Sequence, residues 1–118
     1  MSGKGTLTPG GHTSDFCSRR LKAIADRTRW DVVVQLVQGA RTVTELNEKL
    51  GIDQTLLSHH LRILRDEGFV EFKREGKSRC YRLAEAVRPT PSGLGLDLGC
   101  CRLELHPPRR RARRAEAT

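Results

Sequence analysis

No apolar run in the chain approaches the roughly 20 residues that a membrane-spanning helix needs, so a spanning helix is excluded. Its opening stretch, MSGKGTLTPGGHTSD, also lacks the apolar core of a secretory signal. A cytoplasmic location with no membrane partner is therefore expected. The four cysteines include no Cys-x-x-Cys pair, and no catalytic base stands beside a candidate nucleophile. Both absences argue against a thiol–disulfide enzyme and against an enzyme generally. Internal repeats are lacking too. In the cytoplasm, cysteines are expected as thiols, metal ligands or redox sensors rather than as structural disulfides.

What is present is charge. Lysine and arginine number 22 against 14 acidic residues, a formal excess of +8 in 118 residues. Residues 107–118 hold five arginines and one glutamate, so this stretch alone supplies half of the excess. The length suits one small domain whose core needs neither disulfide nor metal to fold. Residues 1–13, rich in Gly, Thr and Pro, read as a flexible arm, and residues 107–118 as a basic disordered tail.

Between them the apolar spacing is helical at first. Ser14 reads as an N-cap, and Phe16, Leu21, Ile24 and Ala25 as an apolar face. Asp26 or Thr28 opens a second helix over 29–38 with Val33, Leu36 and Val37 inward, ended by Gly39. Thr42 or Thr44 opens a short third helix to Leu50. Asp53 caps a fourth over 54–67, with Leu57, Leu61 and Leu64 repeating on one face. The period then changes to that of strands, over 69–73 and 78–83, joined by the polar turn Arg74-Glu75-Gly76-Lys77. This order predicts a mainly α fold with a β-hairpin wing (α+β), a winged helix-turn-helix domain over residues 14–88. Residues 89–106 form a separate C-terminal segment. In it Pro89 and Pro91 preclude a long helix, and leucines alternating with polar residues suit a strand or extended arm packed on its own or a partner domain.

In such a domain the third helix braces the fourth, whose early side chains reach base edges in a major groove. Gln54, Thr55, Ser58 and His59 lie opposite the leucine stripe, and Arg62 one turn on would meet the backbone. Lys73, Arg74, Lys77, Arg79 and Arg82 make the hairpin basic against Glu75 alone, suited to adjacent phosphates or a minor groove. His60 packs locally or contacts DNA; spacing leaves both open. A basic RNA-associated protein using the arginine tail is the alternative of a different class.

Leu21-Lys22-Ala23-Ile24-Ala25-Asp26-Arg27-Thr28-Arg29 resembles the opening of the ArsR/SmtB family of winged-helix repressors. Ser58-His59-His60-Leu61-Arg62-Ile63-Leu64 with Gly68-Phe69-Val70 resembles its reader helix and exit, and Arg74-Glu75-Gly76-Lys77 with Tyr81-Arg82-Leu83 its wing. The resemblance runs from about Phe16 to Leu83. It implies a homodimer that binds double-stranded operator DNA, an imperfect palindrome, and lets go when an inducer binds. The family's base contacts carry over to Gln54, Ser58 and His59. The Cys-Val-Cys that many arsenic-responsive members carry in the bracing helix is absent from residues 43–50, and no long C-terminal helix is evident. In its place, a Gly-rich stretch with Cys100-Cys101 resembles vicinal-cysteine variants that bind As(III) or Sb(III) there.

The chemistry agrees, because soft thiolates select thiophilic ions. Trivalent arsenic prefers three sulfurs, so a third ligand is required. Cys17, from the same or the partner subunit, is the first candidate and Cys80 the second. Arg79, Arg82 and Arg102 would help hold neighbouring sulfurs as thiolates. Against this, Cys17 and Cys80 also suit plain apolar packing, Cys80 above all. Redox or persulfide chemistry at the same thiols is an alternative signal. Zinc or cadmium ranks after it, with His12 and His106 as the available imidazoles.

Overall fold

The computed structural model describes residues 12–93 and 95–104. The expected arm over 1–11, the tail over 107–118 and His106 lie outside those residues. The elements are α1 (His12–Ile24), α2 (Arg27–Val37), β1 (Arg41–Thr42), α3 (Val43–Leu50), α4 (Gln54–Asp66), β2 (Val70–Glu75), β3 (Ser78–Leu83), β4 (Arg88–Pro89), β5 (Gly95–Asp97) and β6 (Arg102–Glu104). This is the expected winged helix-turn-helix order, followed by a second small sheet. Among the described residues no helix is long and apolar enough to cross a membrane.

Helix starts are set by side-chain acceptors. Asp26 takes the Arg29 N–H at 3.0 Å and caps α2. At α3, Thr42 accepts from Glu45 N at 3.1 Å while Glu45 accepts from Thr42 N at 2.8 Å, a reciprocal capping box. Asp53 accepts from both Thr55 N and Leu56 N at the head of α4. Helix α1 departs from expectation. It begins at His12, so Ser14 lies inside it, and residues 12 and 13, expected in the arm, are helical. Asp15 in that first turn favours the longer helix, because a carboxylate opposes the positive helix end.

The core gathers Ala23, Ile24, Val32, Val33, Leu36, Leu46, Leu57, Leu61, Leu64, Phe69 and Tyr81, as the leucine stripe of α4 predicts. Three expected inward residues do not comply. Val37 is 39% exposed, Phe16 is 50% exposed, and Ala25 faces solvent beyond the end of α1. Val37 belongs to the last turn of α2 and lines an open groove with Val34, Pro89 and Leu96. Phe16 instead covers the Arg20 guanidinium, whose Cζ lies 5.0 Å from its ring centre.

The first sheet has the order β1-β3-β2. Its hairpin pairs Glu75 with Ser78, so the turn is only Gly76-Lys77 rather than the four residues 74–77. Gly76 takes φ +65°, a left-handed conformation suited to two-residue hairpin turns. Strand β1 places Thr42 against Cys80.

The second sheet, β4-β5-β6, is the C-terminal segment. It packs on its own domain: Leu96 and Leu98 are 3% and 1% exposed and join the same core through Val87. Gly95 is required where β5 crosses β6, since a Cβ there would fall on the Leu103 carbonyl oxygen. The Leu98–Cys101 turn closes by Leu98 N donating to Cys101 O at 2.8 Å, with Gly99 at φ +89°.

Candidate functional site

Helix α4 and the β2–β3 wing enclose an open groove of about 670 Å³. Gln54, Thr55, Ser58, His59 and Arg62 line it from α4, and Arg74, Lys77 and Arg79 from the wing. All eight are exposed. They come together because two periodicities agree. Leu57, Leu61 and Leu64 turn one face of α4 to the core, which leaves the other face to the groove. In the wing, Phe72 pairs with Tyr81 and Arg74 with Arg79 on one face of the hairpin. Lys73, the ninth candidate, pairs with Cys80 on the other face and does not line the groove.

Arg65 also lines the groove and was missed from the sequence. Its position, three residues after Arg62 and seven after Ser58, is the signal that placed it on that face. Arg65 and Arg79 both rest over the Phe72 ring, their Cζ atoms 5.3 and 4.7 Å from its centre. The stacking holds two long cations out of water's reach on one side while their donors face the groove.

Charge is not spread evenly. At the base of the wing Arg82 Nε pairs with Glu71 at 2.9 Å, so Arg82 is already neutralised. Nearer the tip Arg74 stands directly opposite Arg79. Like charges so placed repel, and among the described residues neither has an ion-pair partner.

His60 is not in the groove. It is 8% exposed on the inner side of α4, and its Nδ1 lies 3.1 Å from Arg29 Nη1. A guanidinium only donates, so Nδ1 accepts and the ring is neutral. Burial lowers the His60 pKa below its ordinary value; Asp26 opposes this, and Arg29 and His59 add to it.

The second cluster lies where α1 meets the β5–β6 turn. Cys17 and Cys100, separated by 83 residues, form a disulfide with Cα atoms 5.9 Å apart. The Cys101 Sγ stands 4.0 Å from that of Cys100. All three sulfurs lie within 4.8 Å of one another and are half-buried. The expectation of free thiols is thus corrected for Cys17 and Cys100: packing of the second sheet on α1 brings distant sulfurs to bonding range. The structure places Cys17 beside the pair within one chain. Cys80 lies apart in β3. Burial pushes its thiol up from the ordinary value, helped by Glu75 and Glu45 and opposed by Arg82 and Lys73. The expected thiolate support from neighbouring arginines does not prevail there.

Residues 26–71 match the family described as bacterial regulatory protein, arsR family. The chain is 42% identical over 66 residues to the biofilm growth-associated repressor of Xylella fastidiosa, covering 56% of this chain and 58% of that one. It therefore spans little more than half the length of this curated relative. The structure of the transcriptional repressor BigR from Xylella fastidiosa superposes with TM-score 0.58 at 38% identity, over 62% of this chain and 74% of that one. A homodimeric winged helix-turn-helix DNA-binding domain from Mycobacterium bovis, a possible ArsR-family transcriptional regulator, gives TM-score 0.58 at 30% identity. There 66% of this chain and 76% of that one are covered.

Proposed function

The chain belongs to the arsR family of bacterial regulatory proteins, and we propose that it is a cytoplasmic transcriptional repressor released from operator DNA by As(III) or Sb(III). The observation that carries the DNA half is the groove in which eight exposed polar and basic side chains converge, beside an uncompensated Arg74–Arg79 pair. Gln54, Thr55, Ser58 and His59 read base edges from the start of α4. Arg62, Arg65, Arg74, Lys77 and Arg79 meet phosphates, which offset the repulsion between Arg74 and Arg79. Lys73, on the far face of the wing, contributes general attraction at most.

The repressor acts as a homodimer, as the Mycobacterium bovis neighbour is described. Two reader helices then engage successive major grooves of an imperfect palindrome about 34 Å apart. A small change of dimer geometry is enough to lose one half-site.

The inducer half rests on the three sulfurs within 4.8 Å. In the reduced chain, Cys17, Cys100 and Cys101 each transfer a proton to a hydroxide leaving arsenious acid, so three As–S bonds form and three waters depart. Trivalent arsenic and antimony suit such a set because they are soft and bind sulfur in a pyramid.

The Cys17–Cys100 disulfide favours a second reading, a redox signal at the same place. A hydroperoxide would oxidise one thiolate to sulfenic acid, releasing an alcohol or water. The second thiolate then displaces hydroxide to close the disulfide.

The test is binding of the reduced full chain to a duplex that it selects from a randomised pool, titrated with arsenite, antimonite, zinc, cadmium and hydrogen peroxide. Arsenite is expected to lower affinity at least about tenfold, and Cys100→Ser with Cys101→Ser to abolish that response. Unchanged release by arsenite in the double variant overturns the inducer site. Response to peroxide alone selects the redox reading, and response to zinc or cadmium alone a different metal. Absence of any sequence selection overturns the operator reading in favour of non-specific RNA or DNA attraction.

A further inference from the structure

Helix α1 does more than carry Cys17: it is joined to the reader helix through two guanidiniums, its own Arg20 and Arg29 of α2. Arg20 is only 4% exposed. Its Nη1 donates to the carbonyl of Glu67, the C-cap of α4, at 2.9 Å. Gly68 permits this approach, since a Cβ there would lie 2.9 Å from the same nitrogen. Its Cζ sits 5.0 Å from the Phe16 ring centre and 4.9 Å from that of Phe69. Yet among the described residues Nε and Nη2 have no hydrogen-bond partner.

For stability alone this is a poor bargain. A buried cation with unpaired donors is costly, and an apolar residue of similar volume often serves as well or better. The second grip is Arg29. Its Nε donates to Ala23 O, in the last turn of α1, at 2.6 Å, and its Nη1 meets His60 Nδ1 of α4 at 3.1 Å. One guanidinium therefore holds the end of the reader helix and the other its middle.

Cys17 stands three residues before Arg20, which places both on one face of a stiff helix. The disulfide ties that face to the β5–β6 turn. Opening or re-bridging the sulfurs changes the restraint on α1 one turn from Arg20. The contacts that join α1 to α4 beside this restraint include Arg20 at the Glu67 carbonyl and Arg29 between Ala23 O and His60 Nδ1.

We propose that Arg20 and Arg29 are positioning residues that carry the state of the Cys17 sulfur from α1 to the reader helix α4. This deepens the reading of Cys17 as part of the sensing site and rests on it. The test uses neither DNA nor arsenite, so that its failure is separable from failure of the repressor reading. Backbone hydrogen exchange is measured on the full chain in the disulfide form and after reduction with dithiothreitol. In the unmodified chain, amides in the second half of α4 are expected to change their exchange rate about fivefold or more on reduction. In Arg20→Met, and separately in Arg29→Lys, the change is expected to shrink by more than half.

Glu67→Gln is the control. It disturbs only the exposed Arg19–Glu67 pair and leaves the backbone carbonyl, so the response is expected to persist. Should Arg20→Met fail to fold, Arg20→Lys keeps a donor for the carbonyl but loses the planar fork, and is expected to lose the response equally. An α4 indifferent to reduction in the unmodified chain overturns the proposal, as does a full response in the Arg20 variants.

Discussion

The two sheets of this molecule have three antiparallel strands each, and they are held in opposite ways. In the wing sheet, β2 and β3 run six residues apiece and stand on Phe72, Tyr81 and the buried end at Phe69 and Val70. Its tip needs no further support and is free to carry exposed, uncompensated charge. In the terminal sheet no strand exceeds three residues. Strands so short do not hold themselves. They persist here through Leu96 and Leu98 in the core, a bare Gly95 backbone against Leu103, and the sulfur bond to α1. A region that stands by its own pairing can present a binding surface. One that relies partly on a bond to another element can report whether that bond is intact.

The largest expected effect breaks the tether. Cys17→Ser should lower stability by about 2–4 kcal/mol under oxidising conditions, as expected for closing so long a loop, and by much less in dithiothreitol. Denaturant melts with and without reductant decide this. Equal stability in both would mean that the terminal sheet stands unaided. Next, Gly95→Val should cost about 2–3 kcal/mol by forcing β5 off β6, with loss of exchange protection confined to the terminal sheet. Spread of that loss into the wing would show that the two sheets unfold as one.

On the wing the sign reverses. Arg74→Ala with Arg79→Ala should leave stability unchanged or raise it by up to about 1 kcal/mol, because an opposed like-charge pair is removed. The same change should reduce the salt slope of DNA binding by about 1 for each arginine. Calorimetry and binding at two salt concentrations check the two halves of that statement.

A smaller effect separates the halves by pH. The unfolded chain takes up a proton at His60 near pH 6.5, whereas burial holds the folded imidazole below that value. Stability from this group is therefore complete above about pH 6.5 and is lost as the pH falls toward the lowered folded value. Its slope cannot exceed about 1.4 kcal/mol per pH unit. His60→Gln, which keeps an acceptor for Arg29, should flatten that slope. Smallest of all, Lys73→Ala should change DNA affinity by only a few tenths of a kcal/mol, since Lys73 lies outside the groove. A loss as large as that from Arg74→Ala would put DNA on the other face of the wing.

Much of the reader half was legible because its signals are local. Thr42 and Glu45 cap α3, Asp53 caps α4, and Leu57, Leu61 and Leu64 declare the face that turns inward. Hairpin charge alone groups Lys73 with Arg74, and it is the strand register that sets Arg74 on the groove face and Lys73 on the other. What escaped was local only in appearance. Strand β1 is two residues long and exists because β3 is there to pair with. Val37 follows the apolar spacing of α2 but lines an open groove and stays 39% exposed. Arg20 reads as one more surface cation on a basic chain and is instead enclosed by two rings.

The sequence by itself determined the caps of α2, α3 and α4, the leucine face of α4, the hairpin and the family likeness, all set by residues a few positions apart. Only the tertiary structure decided which cysteine Cys100 meets, that His60 faces Arg29 instead of DNA, and that the terminal strands fold back on their own core. The reason is one of range. Periodicity and capping act over one or two turns, whereas a bond across 83 residues depends on how whole elements stack.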